Sequence, residues 1–164
     1  MSDEAFTQAV REYSDTVYRV CLHICRNRSD AEDLTQNVFL KLYRHADTFR
    51  DEEHLKSWLI RVAVNEGKSH MTSPWYRRAS CSIDDGSLKD AGVTFPSTEQ
   101  SELFLAVMAL PPKYRVVVHL YYYEDYTVGE IAAMLDLKET TVQTQLMRAR
   151  KQLKTLLSEA DYEF

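Results

Sequence analysis

Apolar residues recur along this chain at the three- and four-residue spacing of one helical face, and nowhere do they alternate as a half-buried strand would. Phe6, Val10, Tyr13, Val17, Val20, Cys21 and Ile24 predict an amphipathic helix over about Asp3 to Arg26. Ser29 with Glu32 three residues later has the form of a capping box, in which each side chain satisfies an orphan backbone donor. A second helix follows from it, with Leu34, Val38 and Leu42 turned inward. A short loop around Asp47 to Asp51 leads to a third helix, with Leu55, Trp58, Leu59, Val62 and Ala63 on its inner face, running until Pro74 blocks it.

From Ser80 to Pro96 the pattern fails. That stretch holds two of the chain's four glycines, few large apolar residues and no sustained period, so it reads as an exposed linker and a domain boundary. Ser97 with Gln100 then opens a fourth helix through Met108. Pro111-Pro112 starts a fifth, where proline in the first turn forfeits no hydrogen bond. Val116, Val117, Leu120 and Tyr121 supply its buried face. The predicted fold is all-α, two small helical domains joined by a flexible linker.

The segment Thr127 to Lys154 is the most informative. Thr127 and Glu130 form another capping box, and Val128, Ile131, Ala132 and Leu135 mark one face of a short helix. The chain must then turn sharply at Leu135-Asp136-Leu137, where a short acidic side chain tolerates the left-handed backbone conformation. In the next helix Val142, Leu146, Ala149 and Leu153 pack inward. The opposite face carries Thr140, Gln143, Thr144, Met147, Arg148 and Lys151, hydrogen-bonding and cationic types that a recognition helix aims into a major groove. A helix-turn-helix that docks on DNA is the expectation, and a plain helical hairpin is the alternative.

Charge changes the picture only when it is read locally. The 20 basic residues are outnumbered by 25 acidic ones, giving a net charge of −5, which disfavours nucleic acid at first sight. Yet from Arg61 to Ser80 the residues Arg61, Lys68, Arg77 and Arg78 face only Glu66. From Lys138 to Lys154 five basic residues face only Glu139. Two basic islands in an acidic chain can grip a duplex while the remainder limits non-specific adhesion, although solvated helix faces are also charged.

Composition adds exclusions. Hydrophobic residues make up 45% of the 164, enough for real cores. No stretch approaches the roughly 18 uninterrupted apolar residues of a spanning helix. The acidic start, MSDEAFTQAVREYSD, is unlike a signal peptide, so a cytoplasmic protein without membrane insertion is expected. Cys21, Cys25 and Cys81 lack metal-type spacing, and the first two read as core thiols. His23, His45, His54, His70 and His119 form no metal pair, the glycines make no phosphate loop, and no nucleophile has a base partner. The expectation is a protein with no cofactor, no metal and no catalytic site. Tyr121, Tyr122 and Tyr123 read as core and rim packing rather than a stacking platform.

Three blocks together carry a family resemblance: SDAEDLTQNVFLKLYRHADTF, then LKSWLIRVAVNEGKSHMTSPWYRR, then LPPKYRVVVHLYYYEDYTVGEIAAMLDLKETTVQTQLMRARKQL. In that order, around a variable linker, they resemble a bacterial extracytoplasmic-function sigma factor of the sigma-70 family. The resemblance implies a three-helix sigma-two domain over 1–79, a linker over 80–97 and a helix-turn-helix sigma-four domain over 98–160. It implies binding to core RNA polymerase and to promoter DNA, and an anti-sigma factor as a further partner.

Carried over by position, Asp30 to Arg44 matches the helix pressed against the polymerase clamp, with Asp33, Gln36, Asn37 and Lys41 as candidate contacts. Asp30 itself also suits the positive end of the helix dipole. Phe49 and Asn65 match positions that capture bases of the melted minus-ten strand, although Phe49 also suits simple core packing. Lys68, Trp75, Arg77 and Arg78, with Tyr76 among them, extend that site with phosphate attraction and stacking surfaces. Thr140, Gln143, Thr144, Met147, Arg148 and Lys151 become the minus-thirty-five contacts. The chain departs from the common pattern at Ser69, Thr72, Gln143 and Gln145, which lowers its positive charge. A dimeric operator-binding regulator leaves the Asp30 to Arg44 block unexplained, and a metal-dependent nuclease lacks a ligand cluster.

Overall fold

The computed structural model describes residues 1–45, 48–72 and 98–157, with side chains of the last stretch from Glu102 onward. The chain divides into two compact units, Met1–Ala91 and Gly92–Phe164. Among the described residues the regular structure is helical, and no helix is long and apolar enough to cross a membrane.

The first unit holds α1 (Asp3–Cys25), α2 (Arg28–Arg44) and α3 (Glu52–Thr72), each packed on the other two. Ser2 caps α1 by accepting the Ala5 N–H at 3.1 Å. The helix ends at Arg26, whose left-handed φ of 57° lets its N–H reach the Leu22 carbonyl. Only Asn27 then separates α1 from α2, and it is Asn27, not Ser29, that caps α2, accepting the Asp30 N–H at 2.9 Å. The anticipated Ser29 and Glu32 box does not form, because α2 begins two residues earlier and Glu32 bonds Arg28 at 3.2 Å instead. Asparagine and serine are near-equal caps, so the tight turn decides between them.

Leu34, Val38 and Leu42 are buried as their spacing predicts. In α3, however, Leu55, Trp58 and Val62 are only half-buried, while Ile60, Val64 and Gly67 join Leu59 and Ala63 in the core. A helix wedged against two others buries a wider arc than a single amphipathic stripe. Gly67 is essential to that wedge, because a Cβ there would lie 2.6 Å from Ile24 Cγ2 on α1. Cys21 and Cys25 are buried thiols, Cys25 donates to the Cys21 carbonyl, and burial pushes the Cys21 thiol up to about 12. They act as small hydrophobes.

The second unit holds α4 (Thr98–Met108), α5 (Pro112–Val118) running into a π-helical turn at His119–Tyr123, then α6 (Val128–Leu135) and α7 (Glu139–Leu156). Ala106, Val107, Leu110, Tyr114 and Val118 pack on Ala149 and Leu153 of α7. Tyr121, expected in the buried face of the fifth helix, is only half-buried. Tyr114, Arg115, Val118 and His119 are buried in addition to Val116, Val117 and Leu120. The π turn shifts the register, and its Glu124 N–H bonds the His119 carbonyl five residues back, at 3.2 Å. The linker segment 80–97 and Cys81 lie outside the described residues.

Candidate nucleic-acid interface

The helix-turn-helix is built from local signals. Glu130 N–H donates to Thr127 Oγ1 at 3.2 Å, and Thr127 N–H donates to Glu130 Oε1 at 3.1 Å, so the capping box at the start of α6 is complete. Asp136 ends the helix at φ 55°, and Leu137 N–H returns to the Ala132 carbonyl at 2.9 Å. That reversal sends the chain into α7, where Val142, Leu146, Ala149 and Leu153 are at most 2% exposed.

With one face of α7 sealed, the other is presented to solvent. Thr140, Gln143, Met147, Arg148 and Lys151 are exposed and Thr144 is half-buried, its hydroxyl donating to the Thr140 carbonyl at 2.9 Å. Helical spacing puts Gln143 and Met147 towards one edge and Thr144 and Arg148 towards the other. Met147, at 60% exposure, is an apolar group in a polar face, the kind of surface that suits a thymine methyl. Arg150 has a different use. Its Nε donates to the Tyr122 hydroxyl at 2.6 Å, and its guanidinium lies 5.7 Å from the Tyr121 and Tyr122 ring centroids, tying α7 to the π turn. The three tyrosines thus serve packing: Tyr121 and Tyr122 are half-buried and Tyr123 lies at the rim.

In the first unit Phe49 sits in an aromatic cluster. Its ring is stacked on His45 at 5.2 Å and meets His54 and Trp58 edge-on at 5.4 and 5.6 Å. The loop around it is held by two bonds through His54: its N–H donates to Asp51 Oδ1 at 2.7 Å, while Arg50 N–H donates to His54 Nδ1 at 3.2 Å. Phe49 remains half-buried, so part of the ring faces outward. Asn65 and Lys68 stand exposed one turn apart on α3. Trp75, Arg77 and Arg78, with Tyr76, lie outside the described residues. Trp58 was legible only as a core residue, because its partners His45 and Phe49 belong to other segments.

On α2, Asp33, Gln36 and Asn37 are exposed on one face. Lys41 is also exposed but forms an ion pair with Glu66 of α3. Leu40 lies among them and is 49% exposed, and Tyr43 is 62% exposed with its ring edge against Phe6. Neither had a periodic signal, since Leu40 follows the buried pair Val38 and Phe39 in sequence. Asp30 pairs with His70 of α3 at 3.2 Å, so it has a partner across the bundle besides the helix dipole. Among the described residues no group of histidine, cysteine or acidic side chains could hold a metal ion.

Both units match known families. Residues 9–76 match Sigma-70 region 2, and residues 100–153 match Sigma-70 region 4. The chain is 31% identical over 149 residues to the ECF RNA polymerase sigma factor SigM of Bacillus subtilis (strain 168), covering 88% of this chain and 90% of that one. It is 28% identical over 169 residues to SigW of the same organism, covering 94% and 89%. The solved structure of the sigma factor RpoE from Bartonella quintana, in complex with the anti-sigma factor NepR, shares the fold. Its TM-score is 0.75 at 23% identity, over 97% of this chain and 99% of that one.

Proposed function

This chain belongs to the ECF RNA polymerase sigma factors of the sigma-70 family, and from that membership we propose that it binds core RNA polymerase and directs it to promoters with particular minus-ten and minus-thirty-five elements. The observation that carries this reading is the order of parts: a region 2 bundle precedes a region 4 helix-turn-helix whose α7 turns a polar, cationic face to solvent. An operator-binding regulator needs only the second.

The roles divide by unit. Residues 1–79 act as the sigma-two domain, with Asp33, Gln36, Asn37 and Lys41 on the polymerase side. Phe49, Asn65, Lys68, Trp75, Arg77 and Arg78 act on the opened minus-ten strand. A loop aromatic already held by neighbouring rings can receive an unstacked base at small ordering cost. Residues 98–160 act as the sigma-four domain, with Thr140, Gln143, Thr144, Met147, Arg148 and Lys151 on the minus-thirty-five duplex. The linker 80–97 joins two weak contacts and raises the effective concentration of the second once the first has formed. The chain performs no catalysis of its own, works in the cytoplasm, and is held in check by an anti-sigma factor.

Capture by purified core polymerase tests the reading. Core polymerase should retain the full chain, and an Asp33→Arg, Asn37→Arg double variant should be lost from the complex while keeping its helical circular dichroism. No retention of the unaltered chain contradicts the proposal.

A further inference from the structure

An open groove of about 310 Å³ runs between the start of α5 and the N-terminal half of α7. Lys113 and Tyr114 line one side; Thr140, Thr141, Gln145 and Arg148 line the other. Its two charged groups are both cations, and no acidic residue is among its described lining residues. Lys113 belongs to neither basic island of the sequence, and only the fold brings it to α7.

Two details suit a phosphodiester. The Lys113 ammonium lies 5.1 Å from the centroid of the Tyr114 ring, which steadies an otherwise free side chain. Thr140 and Thr141 add hydroxyls, which donate readily to phosphate oxygens.

The groove also adjoins the proposed reading face, since Arg148, Thr140 and Thr144 border both. Resting on the sigma-factor reading, we infer that this groove seats one backbone phosphate of the minus-thirty-five duplex between Lys113 and Arg148. Lys113 thereby fixes the register of α7 in the major groove without reading sequence. Gln143 and Met147, towards the other edge, are left to read bases.

The test uses holoenzyme formed from the full chain and core polymerase. Its probes are a labelled promoter fragment recovered by run-off from a genomic pool and the same fragment with a scrambled minus-thirty-five segment. Lys113→Ala should weaken binding of both by the same factor, and Lys113→Arg should restore it. The slope of log affinity against log salt should fall by about 0.9, the value of one released phosphate contact. The penalty of Lys113→Ala should therefore shrink about 3.5-fold between about 50 and 200 mM salt. An unchanged slope and affinity, or a loss confined to the matched fragment, overturns the phosphate seat while leaving the sigma reading intact. Wild-type holoenzyme that initiates on no promoter overturns the sigma reading and the seat with it.

Discussion

The candidate nucleic-acid surfaces of the two units are opposite in kind. In the first, the described aromatic candidate is a half-buried ring in a loop, Phe49, wedged among His45, His54 and Trp58. In the second, the candidates are exposed polar and cationic side chains along one face of α7, whose other face is sealed by Val142, Leu146, Ala149 and Leu153. The contrast matches the two substrate forms proposed for the units. An unstacked base needs a ring and a pocket edge, which a loop can supply. An intact duplex shows only groove edges and phosphates, which a rigid helix reads by spacing. The same difference governs fragility: α7 depends on its buried stripe, and the first unit on close approach of α1 and α3.

Core truncation should separate the units with the largest effect. Leu42→Ala and Leu146→Ala each remove a fully buried side chain and should cost about 2–5 kcal/mol within their own unit. Urea unfolding measures the loss. Leu42→Ala should impair capture by core polymerase while sparing binding to a minus-thirty-five duplex, and Leu146→Ala the reverse. If either substitution abolishes both activities, the division of labour is wrong.

Gly67→Ala sharpens the first half of the comparison. Its added methyl meets Ile24, a stiff β-branched side chain, so a destabilisation of about 1–3 kcal/mol is expected from overpacking. A thermal midpoint equal to the parent's would show that α1 and α3 have room to spare. In the second half, Gln143→Ala should reduce binding to the preferred minus-thirty-five duplex by about 1–3 kcal/mol, if the amide reads an adenine edge. Arg148→Ala should weaken the same binding. Fluorescence anisotropy decides this, and equal affinity of both variants with the parent removes α7 from the interface. The smallest effect is local. Thr127→Ala deletes one bond of the complete capping box and should cost about 0.5–2 kcal/mol, read as earlier melting of the second unit.

The second unit was more legible in the sequence than the first because its signals are local. Thr127 with Glu130, the turn at Asp136 and the spacing of Val142, Leu146, Ala149 and Leu153 all lie within thirty residues or so of chain, and each forms as its pattern implies. The sequence pattern places the α2 cap at Ser29 rather than Asn27 because the two side chains are chemically similar as caps. Only the two-residue turn at Arg26 and Asn27 selects between them. The single-helix period of α3 points its inner face to one side of the observed one: Leu55, Trp58 and Val62 are only half-buried, while Ile60, Val64 and Gly67 are buried between two neighbouring helices. Lys113 beside Arg148, and Trp58 beside Phe49, are juxtapositions made by tertiary packing. The family resemblance needed only the order of three blocks, and the comparisons bear it out.

The central claim is that one chain supplies both polymerase binding and promoter choice. Run-off transcription on a genomic promoter pool, with purified core polymerase and the chain added or withheld, tests it most directly. The account predicts discrete transcripts that require both components and share a minus-ten and a minus-thirty-five motif upstream of their starts. Transcripts unchanged by adding the chain, or arising without a shared upstream pair of motifs, would contradict it.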